Sequence, residues 1–387
     1  MTERLSHRPS LGARVGRCAL WASLLAAGCV GAPPPSPTAP RVAATDAAAL
    51  AAFPGLAARA EAFLPSDDSG LIGRNRTWGA LYSPRFQLGA GGALRTALAA
   101  GRPAEAARAF RAVEVGTEAI EADGAVQSAL PTGFGTPSAT DAASAAAFFL
   151  GDACLGLGAL DAAPRADAVA AEARRDAARR RLVRAVGWLS SQAELLWAAD
   201  SLAPNRLLFD ARAFQACGAL SSDAARLGEL ERHTDAFARA ALAHLQDDGH
   251  FAEGGGHDTS YQGVALVVGE DLLLAGYESA ALADGLRRAA DWLAGRVGPD
   301  GRIDSSGNAR TCGGGETFGG EPKRVAVTEV FAGLAYAATR TGSRSQALAA
   351  QRVADWALAN AGTEPCFAPR DGDAREGRGE AAGGAPR

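Results

Sequence analysis

From about residue 46 onward, apolar residues recur every three or four positions, the period of an α-helix with one buried face. Leu282, Leu286, Ala290 and Leu293 make one such stripe, Val327, Val330, Phe331 and Leu334 a second, and Phe237, Ala241 and Leu245 a third. The pattern predicts helices over 46–64, 85–100, 103–121, 140–161, 166–199, 207–222, 226–246, 260–278, 279–297, 323–341 and 344–361, with 166–199 either continuous or broken near Ser190-Ser191. Ser83-Pro84 and Thr140-Asp141 stand where N-caps belong. The connections then sort into two kinds. Residues 65–84, 122–139, 200–206, 247–259 and 298–322 are long and polar, whereas 101–102, 162–165, 223–225, the 278/279 junction and 342–343 are tight turns. In consecutive antiparallel hairpins every odd-to-even connection lies at the same end, so the long loops share one face. Long loops on a rigid scaffold are the usual seat of binding and catalysis.

Five helical hairpins and one further helix suit a closed α/α toroid or an open solenoid. A solenoid carries a repeat of fixed length with a recurring signature. The hairpins here differ in length and show no evident shared motif, which favours an all-α chain folded as an α/α toroid. Composition agrees with the helical reading: 93 of the 387 residues are Ala, the best helix former, and only 6% are aromatic. A net charge of −4 excludes the basic excess of a nucleic-acid binder. No apolar run reaches the roughly 18 to 20 residues of a membrane span. Lys323 is the single Lys, a sign of GC-rich coding that makes any one Arg a weak functional clue.

The N-terminus reads as an address. Arg4, Arg8, Arg14 and Arg17 precede the apolar run Cys18 to Gly28, and Leu25-Ala26-Ala27-Gly28-Cys29 resembles a bacterial lipoprotein signal. Residues 1–28 would be removed and Cys29 lipidated, leaving a side-chain charge of −7 and an exported, lipid-anchored protein of the cell envelope. Residues 29–45 form a Pro-rich stalk, 46–367 the helical domain, and 368–387 a disordered tail. Four further cysteines suit an oxidising compartment, and the expected pairs are Cys154–Cys217 and Cys312–Cys366. The first two lie at similar depth along even-numbered helices. In the second pair, Cys312 is in the last long loop and Cys366 follows a helix ending at that face.

Candidate chemistry concentrates in two loops. Asp247–Gly263 holds His250, Glu253, His257, Asp258, Tyr261 and Gln262 around a Gly254-Gly255-Gly256 run; Asp258 or Thr259 caps the next helix, which places Tyr261 and Gln262 in its first turn. Gly298–Arg324 holds Asn308, Arg310, Glu316, Lys323 and Arg324. Arg310 and Arg324 suit bidentate carboxylate binding. Smaller contributions come from Asn205, which begins a helix after Pro204, from Arg76 and Trp78, and from Phe134. Trp78 and Phe134 offer faces on which a sugar ring stacks.

The order Asn205, then Asp248-Gly249-x-Phe251-x-Glu253 with a His-bearing Gly loop, then Ser260-Tyr261-x-Gly263, then an Arg-bearing loop, resembles the α/α-toroid polysaccharide lyases of chondroitin, alginate and heparinase type. The resemblance covers about residues 200–325. It implies β-elimination on a polysaccharide or oligosaccharide. Asn205 with Arg310 or Arg324 would neutralise a uronate carboxylate, and His257 (or His250) with Tyr261 would be the acid/base pair. Arg76, Trp78, Phe134, Gln262, Asn308 and Lys323 would contact substrate. A His that follows the chondroitin-type motif is Gly254 here, and the chain has no room for the β-sandwich domains of those lyases. No cofactor and no metal is expected, and the oligomeric state is left open. Two other readings stand beside this one: a glycoside hydrolase using a carboxylate pair from Glu253, Asp258, Glu316 and Glu321, which needs a separation of roughly 5 to 9.5 Å, and a non-catalytic glycan-binding envelope lipoprotein. A metal site from His250, His257 and Asp258 is weaker, because His-x6-His is a poor ligand spacing.

Overall fold

The structure is a computed structural model and describes residues 39–318, 321–360 and 366. The signal segment, the Cys29 site, residues 30–38 and the tail 368–387 lie outside the described residues. The described residues are all-α apart from one small hairpin. Its helices are α1 (Ala39–Ala52), α2 (Gly55–Glu61), α3 (Gly73–Trp78), α4 (Ala90–Ala99), α5 (Pro103–Thr117), α6 (Ala139–Asp161), α7 (Ala166–Val169) and α8 (Glu172–Ser191). There follow α9 (Ala193–Asp200), α10 (Pro204–Gly218), α11 (Ala224–Ala243), α12 (Thr259–Leu274), α13 (Ala280–Ala294), α14 (Val327–Thr341) and α15 (Arg344–Ala359). Strands β1 (Thr317–Phe318) and β2 (Glu321–Pro322) pair antiparallel within the last long loop.

Several expected boundaries move, each for a local reason. The first helix starts at Ala39, so the stalk does not extend to residue 45, and Pro54 separates α1 from α2. The expected 85–100 helix opens instead with a 3-10 turn, Pro84–Gln87, and α4 begins only after Gly89 at φ 99°. The 166–199 stretch is three helices, with breaks at Ala170-Ala171 and at Gln192. The cap of α6 is Ser138, in a reciprocal capping box with Asp141. Helix α6 is also long and apolar enough to cross a membrane, contrary to the sequence expectation, but 94% of its apolar window is buried inside the fold.

Helices α1, α4, α6, α10, α12 and α14 each pack on the next in that order, and α14 packs back on α1. Helices α5, α8, α11, α13 and α15 each cover the preceding member of that series. Burial follows this layering. α12 is buried nearly all round, whereas α13 buries one stripe of Leu282, Leu286, Ala289, Ala290 and Leu293. The disulfide Cys154–Cys217 joins α6 to α10 with a Cα separation of 5.1 Å.

A repeated turn, unread in the sequence, launches three of the long loops. Ile120-x-x-Asp123-Gly124-x-Val126, Leu245-x-x-Asp248-Gly249-x-Phe251 and Val297-x-x-Asp300-Gly301-x-Ile303 share one geometry. In each, the outer apolar pair forms an isolated β-bridge and the Asp carboxylate accepts the N–H two residues on. The glycine has φ between 85° and 102°, and a Cβ there would lie 2.0–2.5 Å from a backbone carbonyl oxygen of the next outer helix, at Arg184, Arg288 or Arg352. Only glycine fits such a turn. The hairpins therefore do share a signature, and the expectation that they share none is corrected.

Candidate functional site

The N-terminal ends of α6, α10, α12 and α14 follow the long loops, and between these helices lies a cavity of about 250 Å³. Its wall takes residues from α2 (Leu56, Arg59), the 3-10 turn (Arg85), α4 (Gly92, Arg95, Thr96), α6 (Phe148, Asp152), α10 (Asn205, Arg206, Phe209, Arg212), α12 (Tyr261, Val264, Val267, Val268, Asp271), the last long loop (Lys323) and α14 (Glu329, Tyr336). The lining holds six cationic side chains, Arg59, Arg85, Arg95, Arg206, Arg212 and Lys323, against three carboxylates, Asp152, Asp271 and Glu329. A chain that is acidic overall thus carries a locally basic interior.

The cations differ in how far they are committed. At one end Arg95 pairs with Asp46 at 2.8 Å and Asp271 at 2.7 Å, Arg212 pairs with Asp271 at 2.8 Å, and the Tyr336 hydroxyl donates to Asp46 at 2.7 Å. Burial opposes ionisation of Asp271, but the two arginines outweigh it and hold the carboxyl below its ordinary range. Arg206 donates to buried Asp200 at 3.0 Å. Arg85 stacks 4.3 Å from the centroid of Phe148 and has no carboxylate partner among the described residues. Burial and then the neighbouring Arg206 pull its guanidinium below the ordinary value. The buried Asn205 carboxamide oxygen accepts no hydrogen bond from the described residues. Asp152 is occupied structurally, accepting the N–H groups of Gly89, Gly91 and Gly92 at 2.8–3.0 Å.

At the loop end Tyr261 is the centre of a polar network. Its hydroxyl donates to Glu316 at 2.8 Å and accepts from Lys323 at 2.8 Å. Arg310 lies 4.3 Å over its ring and reaches Glu253 on one side and Glu316, at 3.0 Å, on the other. Burial, then the bond to Glu316, pushes the Tyr261 phenol well above its ordinary value, so it is protonated at neutral pH. Burial disfavours the Glu316 charge, yet Lys323, Tyr261 and Arg310 together hold this carboxyl below its usual range. Glu253 goes the other way: burial, opposed by Arg310, pushes it up to about 7. A raised folded-state value favours the protonated form. Its stabilising contribution is present below the unfolded value of 4.5 and is lost as pH rises through about 7. Glu253→Gln is expected to flatten that part of the stability profile, measured by urea denaturation across the same pH window.

The structure brings some of the expected residues together and separates others. Asn205, Tyr261 and Lys323 line the cavity, and Arg310, Glu253 and Glu316 join them through the Tyr261 network. His257 instead bonds the Ser306 carbonyl at 3.0 Å and, with His250, packs against Trp292 of α13; neither His is in the cavity lining. Asp258 caps α12 and accepts from Arg310 N, Thr311 N and Thr311 Oγ1, which occupies both its oxygens. Asn308 ties Thr259 to Thr311, and Gln262 bonds the backbone at Gly249, Phe251 and Ala289. Asp258, Asn308 and Gln262 are thus engaged in holding the loops. Arg76, Glu321 and Arg324 are exposed and do not line the cavity. Trp78 and Phe134 pack on each other at 5.5 Å, and Trp78 also meets Tyr82 and Phe86.

Sequence reasoning looked to the loops and missed the helix-borne half of the site: Arg85, Arg95, Arg206, Arg212 and Asp271. A signal was present. Arg95 is a charge inside an otherwise apolar helical stretch and Glu270-Asp271 are two inside another, and such charges need partners across the core.

The second bridge, Cys312–Cys366, has a Cα separation of 5.2 Å and staples the loop bearing Arg310, Glu316 and Lys323; Cys312 N also donates to the Lys323 carbonyl at 2.8 Å. Both expected pairings are thus formed. Closing 54 residues contributes about 4 kcal/mol in the chain-entropy model. Cys154 and Cys217 are buried whereas Cys366 is exposed. Mild thiol treatment is therefore expected to open Cys312–Cys366 first, seen as one alkylated pair by peptide mass spectrometry, with loss of whatever activity the loop supports. A scan against protein-family models, a search of curated proteins and a search of solved structures each find no match to this chain.

Proposed function

We propose that the helical ring is an α/α toroid and that its cavity binds an acidic saccharide of uronate type, which it cleaves by β-elimination. The observation that carries this reading is the basic lining around the Tyr261–Lys323–Glu316 triad. The closed order of helix contacts supports the toroid. Arg85, Arg206 and Asn205 neutralise the uronate carboxylate, so that charge builds there when the adjacent C–H bond breaks. Tyr261 passes its phenolic proton to Glu316, Lys323 stabilises the transient phenolate, and the phenolate oxygen then takes the proton from C5. The C5 electron pair forms the C4–C5 double bond, the C4–O bond breaks, and Tyr261 gives its proton to the leaving oxygen. Glu316 then returns the first proton. Glu316 and Lys323 take the place that the resemblance assigned to His257.

Incubation with a panel of uronate and neutral polysaccharides tests this. Growing ultraviolet absorbance from unsaturated uronates is the expected result, and new reducing ends without it would replace elimination by hydrolysis. One observation favours that second reading: Glu253 and Glu316, both on Arg310, are pushed in opposite directions, the pattern of an acid and its partner base. Under hydrolysis Glu253→Gln abolishes turnover; under elimination it does not. Asn205→Ala is expected to slow elimination by about 2.7–4 kcal/mol of lost charge stabilisation, read as kcat/KM. The N-terminal segment supports export and lipid anchoring at Cys29. Cys29→Ser is expected to move the protein from the membrane to the soluble fraction.

A further inference from the structure

We infer that the cavity is a blind pocket that accepts the end of an acidic glycan chain, so that cleavage proceeds from a terminus and releases short products. The inference rests on the uronate reading above and adds to it which part of the polymer enters.

Two features of the geometry carry it. First, the lining comes from most of the ring. Every helix of the ring except α1 contributes lining, and the gap between α2 and α14 is spanned by Arg59 and Glu329, 3.6 Å apart. A groove that held the middle of a chain would need two gaps in this wall. Second, the cavity has a floor. Arg95, Arg212 and Asp271 line it and pair with one another, and Asp46 and Tyr336 continue the network to α1 and α14. Arg95, Asp46 and Arg212 are each less than 5% exposed. A chain threaded through the ring would have to part these ion pairs. Asn205, Arg206 and Tyr261 stand in the first turns of α10 and α12 and Lys323 in the last long loop, which puts the way in at the loop end. The volume of about 250 Å³ is just below the roughly 300–1,000 Å³ of pockets for drug-sized ligands, which suits a terminal sugar or two and not a run of them.

The experiment compares alginate, polygalacturonate and hyaluronan fractions of graded length. With the active protein, short unsaturated products are expected from the earliest time points while viscosity falls slowly. An early collapse of viscosity with mid-sized fragments overturns the blind pocket and leaves elimination standing. With the Tyr261→Phe variant, titration calorimetry is expected to find the same number of protein molecules per chain when the chain is made tenfold longer. A number that grows with length means internal binding and also overturns it. This second arm reads the pocket even if turnover is absent. Binding of no acidic glycan by either form removes the uronate reading, and the chain-end inference with it.

Discussion

Under the proposed elimination, Tyr261→Phe is expected to lower turnover of an acidic glycan by about 10²–10⁴-fold, the range for loss of a positioned acid/base group, while affinity and folding stay near those of the parent. The asymmetry comes from what is removed. The ring stays packed on α12 under the Arg310 guanidinium; only the hydroxyl goes, and with it one bond to Glu316 and one from Lys323. Glu316 retains Arg310 and Lys323 as partners, so no charge is left bare. A measurement of kcat and KM beside a urea curve separates these effects. Full activity in this variant would remove Tyr261 from the mechanism.

Arg95→Met is expected to have the largest effect on stability, on the order of 3–5 kcal/mol, because it breaks a buried pair and leaves charges uncompensated. Arg95 is 4% exposed and holds two carboxylates from different helices, Asp46 of α1 and Asp271 of α12. Met fills similar volume, so the loss reports charge rather than a void. Asp271 keeps Arg212, whereas Asp46 keeps only the Tyr336 hydroxyl among the described residues. The double variant Arg95→Met/Asp46→Asn is therefore expected to recover part of the loss in urea denaturation. No recovery would mean that Arg95 acts through packing alone.

Which residues the sequence could reveal follows from the range of the forces involved. Helices α5, α11, α13 and α15 announce themselves by a one-sided apolar stripe, because a helix covered on one face needs only one. The cap at Asp258 or Thr259, which the structure places on Asp258, and both disulfide pairings were legible for a similar reason, since each depends on spacing within or between predicted elements. The Asp-Gly turns were present in the letters but not on a fixed period, as the intervening hairpins differ in length; only the shared contact with the next outer helix exposes them as one device. That contact also changes the meaning of Asp248-Gly249-x-Phe251, which contributed to the likeness to lyases and is a scaffold turn here. The roles of His257 and Glu316 lay beyond local reasoning altogether. Both sit in polar Gly-rich loops, and nothing in those loops says that one side chain turns toward Trp292 and the other toward Tyr261. Sequence alone pointed to the all-α class, to most of the helices and to the cysteine pairs, because periodicity, chain connectivity and covalent reach are local or topological. The basic cavity, its ionic floor and the protonation of Tyr261, Glu253 and Glu316 were decided only by tertiary structure, because Coulomb energy and desolvation depend on which distant residues meet and on how much water is excluded there.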